Sequence, residues 1–240
     1  ARLIREQESK CGYNIPWTID LRIDGEMWDA MAQDYKSLVE QGKEKGIYTW
    51  MARVRRRPEA VLPMIEKEKD CAFLLFVEPE DASDAFLDAA AQLKNMMLVV
   101  GWGEESAEIC RRMRERGMLY ALFVSYDGID DMPYDEILRD AGEMHPFITF
   151  FLSDEVIEGR REGQGEIIGK LRAGQKYATI PMELYADSLL IDSVISDEAC
   201  LPVFDESGTL IGSRSGRPLN FITEPLGDIL KAAYPKKAMQ

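Results

Sequence analysis

The sequence is poor in the residues that build the commonest catalytic and metal sites. Its 240 residues include one histidine, His145. That excludes sites made from several imidazole ligands and any His–His pair. Four cysteines (Cys11, Cys71, Cys110 and Cys200) are widely spaced, and none forms C-x-x-C. This spacing argues against a structural zinc or an iron–sulfur cluster carried within the chain. No apolar run approaches the ~18 residues of a membrane span. The richest stretches, Cys71–Val77 and Pro146–Leu152, have strand length. The opening octet Ala1-Arg-Leu-Ile-Arg-Glu-Gln-Glu8 has no apolar core, so no signal peptide is expected and the cytoplasm is the expected compartment. Bases are scarce too, 29 against 43 acids, for a net charge of −14. General nucleic-acid affinity comes from Lys and Arg neutralising phosphates, so that role is disfavoured.

What the chain does have is a rhythm. Short apolar runs at Ile19–Ile23, Ile47–Val54, Cys71–Val77, Met96–Trp102, Leu119–Val124 and Pro146–Leu152 read as buried strands. Several are apolar throughout, as in a parallel sheet covered on both faces. Helical patterns separate them. Ser83 is the expected N-cap of Ser83–Lys94, and Ser106 starts Ala107–Arg116, which Gly117 stops. Met27–Glu44 carries an apolar stripe, and Pro133–Gly142 opens on proline. Lys176–Pro181 reads as a seventh strand, and Leu189–Ile195 as an eighth strand or a helix. Parallel strands joined by helical crossovers follow.

The expected fold is therefore α/β with repeating βα units. It is TIM-barrel-like if eight strands close, or an open doubly wound parallel sheet if six do not. Residues 1–17 read as an N-terminal arm, 18–196 as the (β/α) domain and 197–240 as a hairpin–helix extension. In that extension Leu201–Phe204 and Thr209–Gly212 flank a turn at Gly208, and Leu226–Ala233 is a closing helix.

In both folds functional groups collect at the carboxyl ends of the strands. There the sequence places Asp24, Arg53 and Arg55, Glu78 and Glu80, Trp102 and Glu104, Ser125-Tyr126-Asp127, and Ser153-Asp154-Glu155. Five of six strands end in a carboxylate, either as helix caps or as functional groups. On the functional reading, Glu78, Asp127 and Asp154 are the acid–base candidates. Asp24 and Glu104 are ligands for a hard cation such as Mg²⁺ or Mn²⁺. Arg53 and Arg55 share one side of a strand and suit a carboxylate or phosphate. Glu158-Gly-Arg-Arg-Glu-Gly-Gln-Gly-Glu166 is expected as a flexible loop whose Arg160 and Arg161 grip an anion; it lacks the ending of a P-loop. Ser213–Pro218 has similar anion chemistry. His145 falls at the amino end of the sixth strand, away from this face, and Tyr126 is expected buried with its hydroxyl satisfied.

Two resemblances attach to particular residues. Leu201-Pro-Val-Phe-Asp-Glu-Ser-Gly-Thr-Leu-Ile-Gly212 is similar to the hairpin of CBS-type or PAS-type sensor modules. The βα units ending in Ser125-Tyr-Asp-Gly128, with Pro225-Leu-Gly-Asp-Ile-Leu230, resemble the later part of radical S-adenosylmethionine enzymes. Those enzymes carry a C-x-x-x-C-x-x-C cluster motif that nothing in this chain matches, which puts the cluster in doubt. The expected function is an enzyme of lyase, isomerase or hydrolase type acting on a small anionic molecule. The alternative is a non-catalytic binding or regulatory subunit on the same fold. No haem or nucleotide motif is present, and an oligomer is compatible with either reading.

Overall fold

A computed structural model describes residues 1–126, 132–153, 160–196, 198–213 and 215–236. In chain order its elements are α1 (Arg2–Cys11), β1 (Thr18–Asp24), α2 (Trp28–Lys45), β2 (Thr49–Arg55), α3 (Leu62–Lys67), β3 (Ala72–Val77), α4 (Asp84–Ala90), β4 (Met96–Gly101), α5 (Ser106–Glu115), β5 (Tyr120–Ser125), α6 (Tyr134–Glu143), β6 (Ile148–Leu152), α7 (Arg160–Ala173), β7 (Ile180–Glu183), α8 (Leu184–Ile195), β8 (Val203–Phe204) and α9 (Leu226–Ala233). Eight parallel strands alternate with helices, the βα repeat expected of a TIM-barrel-like chain.

The chain forms two compact units, residues 1–73 with 188–240, and residues 74–187. In the first, β1 pairs along its whole length with β2, from Thr18↔Thr49 to Asp24↔Arg55. Its other edge takes β8 through Asp20↔Val203 and Leu21↔Phe204. Ile19, Leu21 and Ile23 are buried on one face. α2 covers that face closely, because a Cβ on Gly42 would come within 2.5 Å of the Trp50 ring. Phe204 and Phe221 meet edge to face at 5.3 Å, and Phe221 reaches Tyr35 of α2 at 5.2 Å.

In the second unit β4, β5, β6 and β7 follow one another in parallel. Val124 and Phe151 point to the helix side, where they pack with Tyr134, Leu138 and Ile168. On the opposite face Phe76, Phe123 and Phe150 form an aromatic cluster with ring centres 5.7 to 5.8 Å apart. These geometries fit the preference of aromatic quadrupoles for tilted contact. Ser83 caps α4, its hydroxyl accepting the Phe86 N–H at 3.2 Å.

The six strands between 18 and 152 lie where the apolar runs put them. Later segments need correction. The seventh strand is Ile180–Glu183, not Lys176–Pro181; of the two readings of Leu189–Ile195 the helical one holds, within α8. Side chains fix that junction: Glu183 Oε2 accepts the Ala186 N–H at 2.5 Å, and Asp187 Oδ2 accepts the Glu183 N–H at 2.9 Å. The eighth strand is the first arm of the hairpin, bridged antiparallel from Phe204 to Leu210, with Gly208 at φ 82° in its turn. The expected flexible loop over Glu158–Glu166 is helical from Arg160 onward. One of its glycines serves packing, since a Cβ on Gly165 would come 2.5 Å from the Ala186 Cβ.

Candidate functional site

β1 and β2 differ from the other strands in being strictly two-faced. Paired residues share a face, so Ile19/Trp50, Leu21/Ala52 and Ile23/Val54 make the apolar side beneath α2. The opposite side carries Asp20/Met51, Arg22/Arg53 and Asp24/Arg55. Asp20 is fully buried, Asp24 nearly so, and the Arg53 side chain is 12% exposed. A (β/α) interior is normally filled by bulky aliphatic layers, and buried charge is the informative exception to hydrophobic burial.

Asp20 pairs with Arg53: Nε donates to Oδ1 at 3.2 Å, and Nη2 stands 3.0 Å from Oδ2 as an ion pair. Arg22 stands beside Arg53 in the register. The face thus carries three guanidiniums and two carboxylates, a local positive excess within a chain of net charge −14. Its carboxyl end is conformationally strained. Arg56 and Arg57 both lie in the left-handed region, at φ 61° and 47°, a costly state for residues other than glycine. The turn closes because Gly25 lets it approach, a Cβ there falling 2.1 Å from the Arg56 carbonyl oxygen. Ion pairs from Arg56 to Asp24 and to Glu26 hold it down. Arg55 is more exposed and reaches Glu206 at 3.8 Å. Burial, with Glu206, Asp205 and Asp24 nearby, pushes the Tyr35 hydroxyl well above its usual value.

In the second unit Glu78, exposed at the end of β3, lays its carboxylate over Gly101 at the end of β4. A Cβ on Gly101 would fall 2.7 Å from Glu78 Oε2 and 3.1 Å from the Phe123 ring. Tyr126 is buried and donates to Glu183 Oε1 at 2.8 Å, so its hydroxyl is satisfied as the sequence suggested. Arg172 forks onto Asp187 with both contacts at 2.8 Å. Glu80 and Glu104 are exposed, and Trp102 packs on the helix-side cluster. His145 is exposed, ahead of β6, at φ 55°.

The expected site residues therefore divide. Arg53, Arg55 and Asp24 share the charged face of the first unit, while Glu78 and Glu104 belong to the second. Asp127, Asp154 and the side chains of Arg160 and Arg161 lie outside the described residues. For Mg²⁺ or Mn²⁺ at Asp24 and Glu104 there is no support: Asp24 is engaged by Arg56. Among the described residues no three His, Cys, Asp or Glu side chains converge on a cation site. Asp20 and Arg22 were missed, although the alternation in Thr18-Ile-Asp-Leu-Arg-Ile-Asp24 carries them.

No protein-family model and no curated protein sequence matches this chain. Solved structures do match in fold. SuiB of Streptococcus suis bound to S-adenosylmethionine aligns with TM-score 0.65 at 11% identity, covering 95% of this chain and 67% of SuiB. SuiB bound to precursor peptide SuiA gives 0.67 at 11% identity, over 95% and 68%. The tryptophan synthase α-subunit of Pyrococcus furiosus, a TIM barrel, gives 0.51 at 11% identity, over 80% and 89%. At these identities the likeness is one of fold, a repeating (β/α) fold.

The resemblance to radical S-adenosylmethionine enzymes implies an iron–sulfur cluster, and the cysteines present do not fit one. They lie at the end of α1, before β3, within α5 and before β8. Burial pushes the Cys71 and Cys200 thiols up, and that of Cys110 to about 12. Cluster ligands are thiolates gathered at one place, whereas these four cysteines sit on separate elements.

Proposed function

We propose that this protein is a (β/α)-fold enzyme that takes a small anionic molecule on the guanidinium face of β1 and β2. The observation that carries the reading is the row of buried Asp20 with half-buried Arg22 and Arg53, the two arginines side by side in the register. A guanidinium offers a planar fork of donors suited to carboxylate or phosphate. Asp20 fixes the Arg53 fork in advance, so less side-chain entropy is lost when a ligand binds. Glu78, Asp127 and Asp154 stay the proposed acid–base groups, and Arg160 and Arg161 a proposed anion contact, on the strength of the sequence alone.

The test is a thermal-shift panel of phosphorylated and carboxylated metabolites, since a ligand of the native state raises the midpoint. Stabilisation by members of the panel, lost in Arg53→Lys and reduced in Arg55→Ala, supports the site. No shift across the panel, or shifts unchanged in both variants, refutes it. A second reading, a binding or regulatory subunit, draws support from the ion pairs that engage Asp24, Arg55 and Arg56. Turnover of the bound molecule that Glu78→Gln abolishes without loss of affinity favours the enzyme; binding without turnover favours the subunit.

A further inference from the structure

Two buried carboxylates lie where chain segments enter β1 and β8. Asp192, in the last turn of α8, is fully buried and divides its oxygens. Oδ1 accepts the N–H of Trp17 at 2.9 Å, just before β1, and Oδ2 accepts the N–H of Cys200 at 2.7 Å, just before β8. Glu8 of α1 is 1% exposed. Its Oε1 accepts the N–H of Ile15 at 2.7 Å and the hydroxyl of Ser196. Three segments are therefore joined at one spot, all within the first unit.

The charged and titratable groups around Asp192 come from each of these segments. Glu8 faces it from α1, and the Cys200 thiol from the approach to β8. Glu198 and the Tyr234 hydroxyl bear on Cys200. Lys236 Nζ stands 3.8 Å from Glu8 Oε2. Arg5 donates to the Val194 and Ile195 carbonyls at the end of α8, at 2.5 and 2.9 Å.

We propose that Asp192 and Glu8 form a proton-controlled latch that sets how firmly β8 is held against β1. β8 is two residues long and pairs with β1 only at Asp20↔Val203 and Leu21↔Phe204, with the Asp20 N–H donating to the Pro202 carbonyl at 3.0 Å. A short edge element of this kind belongs to the low-stability end of local opening. Its approach is pinned at Cys200 by Asp192, so the state of that carboxyl acts directly on it. Ionising Asp192 beside Glu8 places like charges in a buried, poorly solvated spot.

Burial and the Glu8 charge raise the Asp192 carboxyl to about 6, against the pull of the Trp17 and Cys200 N–H bonds. A raised native value means that the closed state binds the proton more tightly than the open state. The latch is therefore strongest below the ordinary carboxylate range and weakens as pH rises through about 6. The inference does not depend on the anion site, although Asp20 of β1 belongs to both.

Hydrogen exchange tests it, followed at the Ile211 and Asp20 amides and corrected for the intrinsic pH dependence of exchange. These amides donate to Val203 at 2.8 Å and to Pro202 at 3.0 Å. Protection is expected to rise about tenfold from pH 7 to pH 5 in the wild type, and to lose this dependence in Asp192→Asn. A flat wild-type profile, or the same rise in Asp192→Asn, overturns the proposal. If Asp192→Asn does not fold, Glu8→Gln replaces it. That variant is expected to move the transition below pH 6, and an unmoved transition overturns the proposal equally.

Discussion

Arg22 of β1 and Arg53 of β2 are direct register partners on the charged face of a parallel strand pair. Like charges placed opposite one another destabilise a sheet. Asp20, also on this face, holds the fork of one of them. A pair of adjacent guanidiniums with one fixed fork is the arrangement from which anion binding is inferred, and it sets the first expectation.

Asp20→Asn should cost about 3–5 kcal/mol of folding stability, the usual result of breaking a buried ion pair and leaving one charge behind. Urea denaturation of both proteins measures it. A loss below about 1 kcal/mol would show that Arg53 does not depend on Asp20.

Arg53→Lys keeps the charge and removes the fork. Charge-assisted hydrogen bonds contribute about 1.5–3 kcal/mol, so affinity for the best anion of the panel should fall roughly tenfold to a hundredfold. Arg55→Ala, at an exposed pair 3.8 Å long, should change stability by less than about 0.5 kcal/mol. Calorimetric titration and thermal melts of the two variants separate these effects.

At the other candidate position, Gly101→Ala places a Cβ 2.7 Å from Glu78 Oε2 and 3.0 Å from Pro79 Cδ. Overpacking of this kind costs about 1–3 kcal/mol. Because one neighbour is a flexible carboxylate, Glu78→Ala should recover part of the loss. A double-mutant cycle showing strict additivity would mean that the two positions do not meet.

Cysteine reactivity gives a further check. Cys110 and Cys200 are buried with thiols pushed up, whereas Cys11 is half-buried. Alkylation of the native protein at pH 8, read by mass spectrometry, should label Cys11 first and leave Cys110 and Cys200 unmodified until unfolding. Early labelling of Cys110 would contradict its place in the core.

The first six strands were legible because their apolar runs are short and dense, and one helix between them starts on a working cap, Ser83 to Phe86. Residues 176–204 were not, for physical reasons. Lys176–Pro181 mixes Tyr177, Ala178 and Ile180 with Lys176 and Thr179 and has no clear period, and the helix over Leu184–Ile195 is set by Glu183 and Asp187 bonding to backbone N–H groups. β8 has two residues, too few for any period. At the site, Arg53 and Arg55 were read correctly as sharing a strand face. Asp20 and Arg22 lie within the strand rather than at its carboxyl end, where charge usually marks function.

The anion site is the central claim, and the Nε–Hε resonances of Arg22, Arg53 and Arg55 test it most directly. They are to be followed by NMR while inorganic phosphate, and then the best anion of the panel, is titrated in. Saturable shifts of Arg22 and Arg53 at one common dissociation constant, with a smaller response at Arg55, are the predicted result. Unmoved Arg22 and Arg53 signals throughout the titration would contradict it.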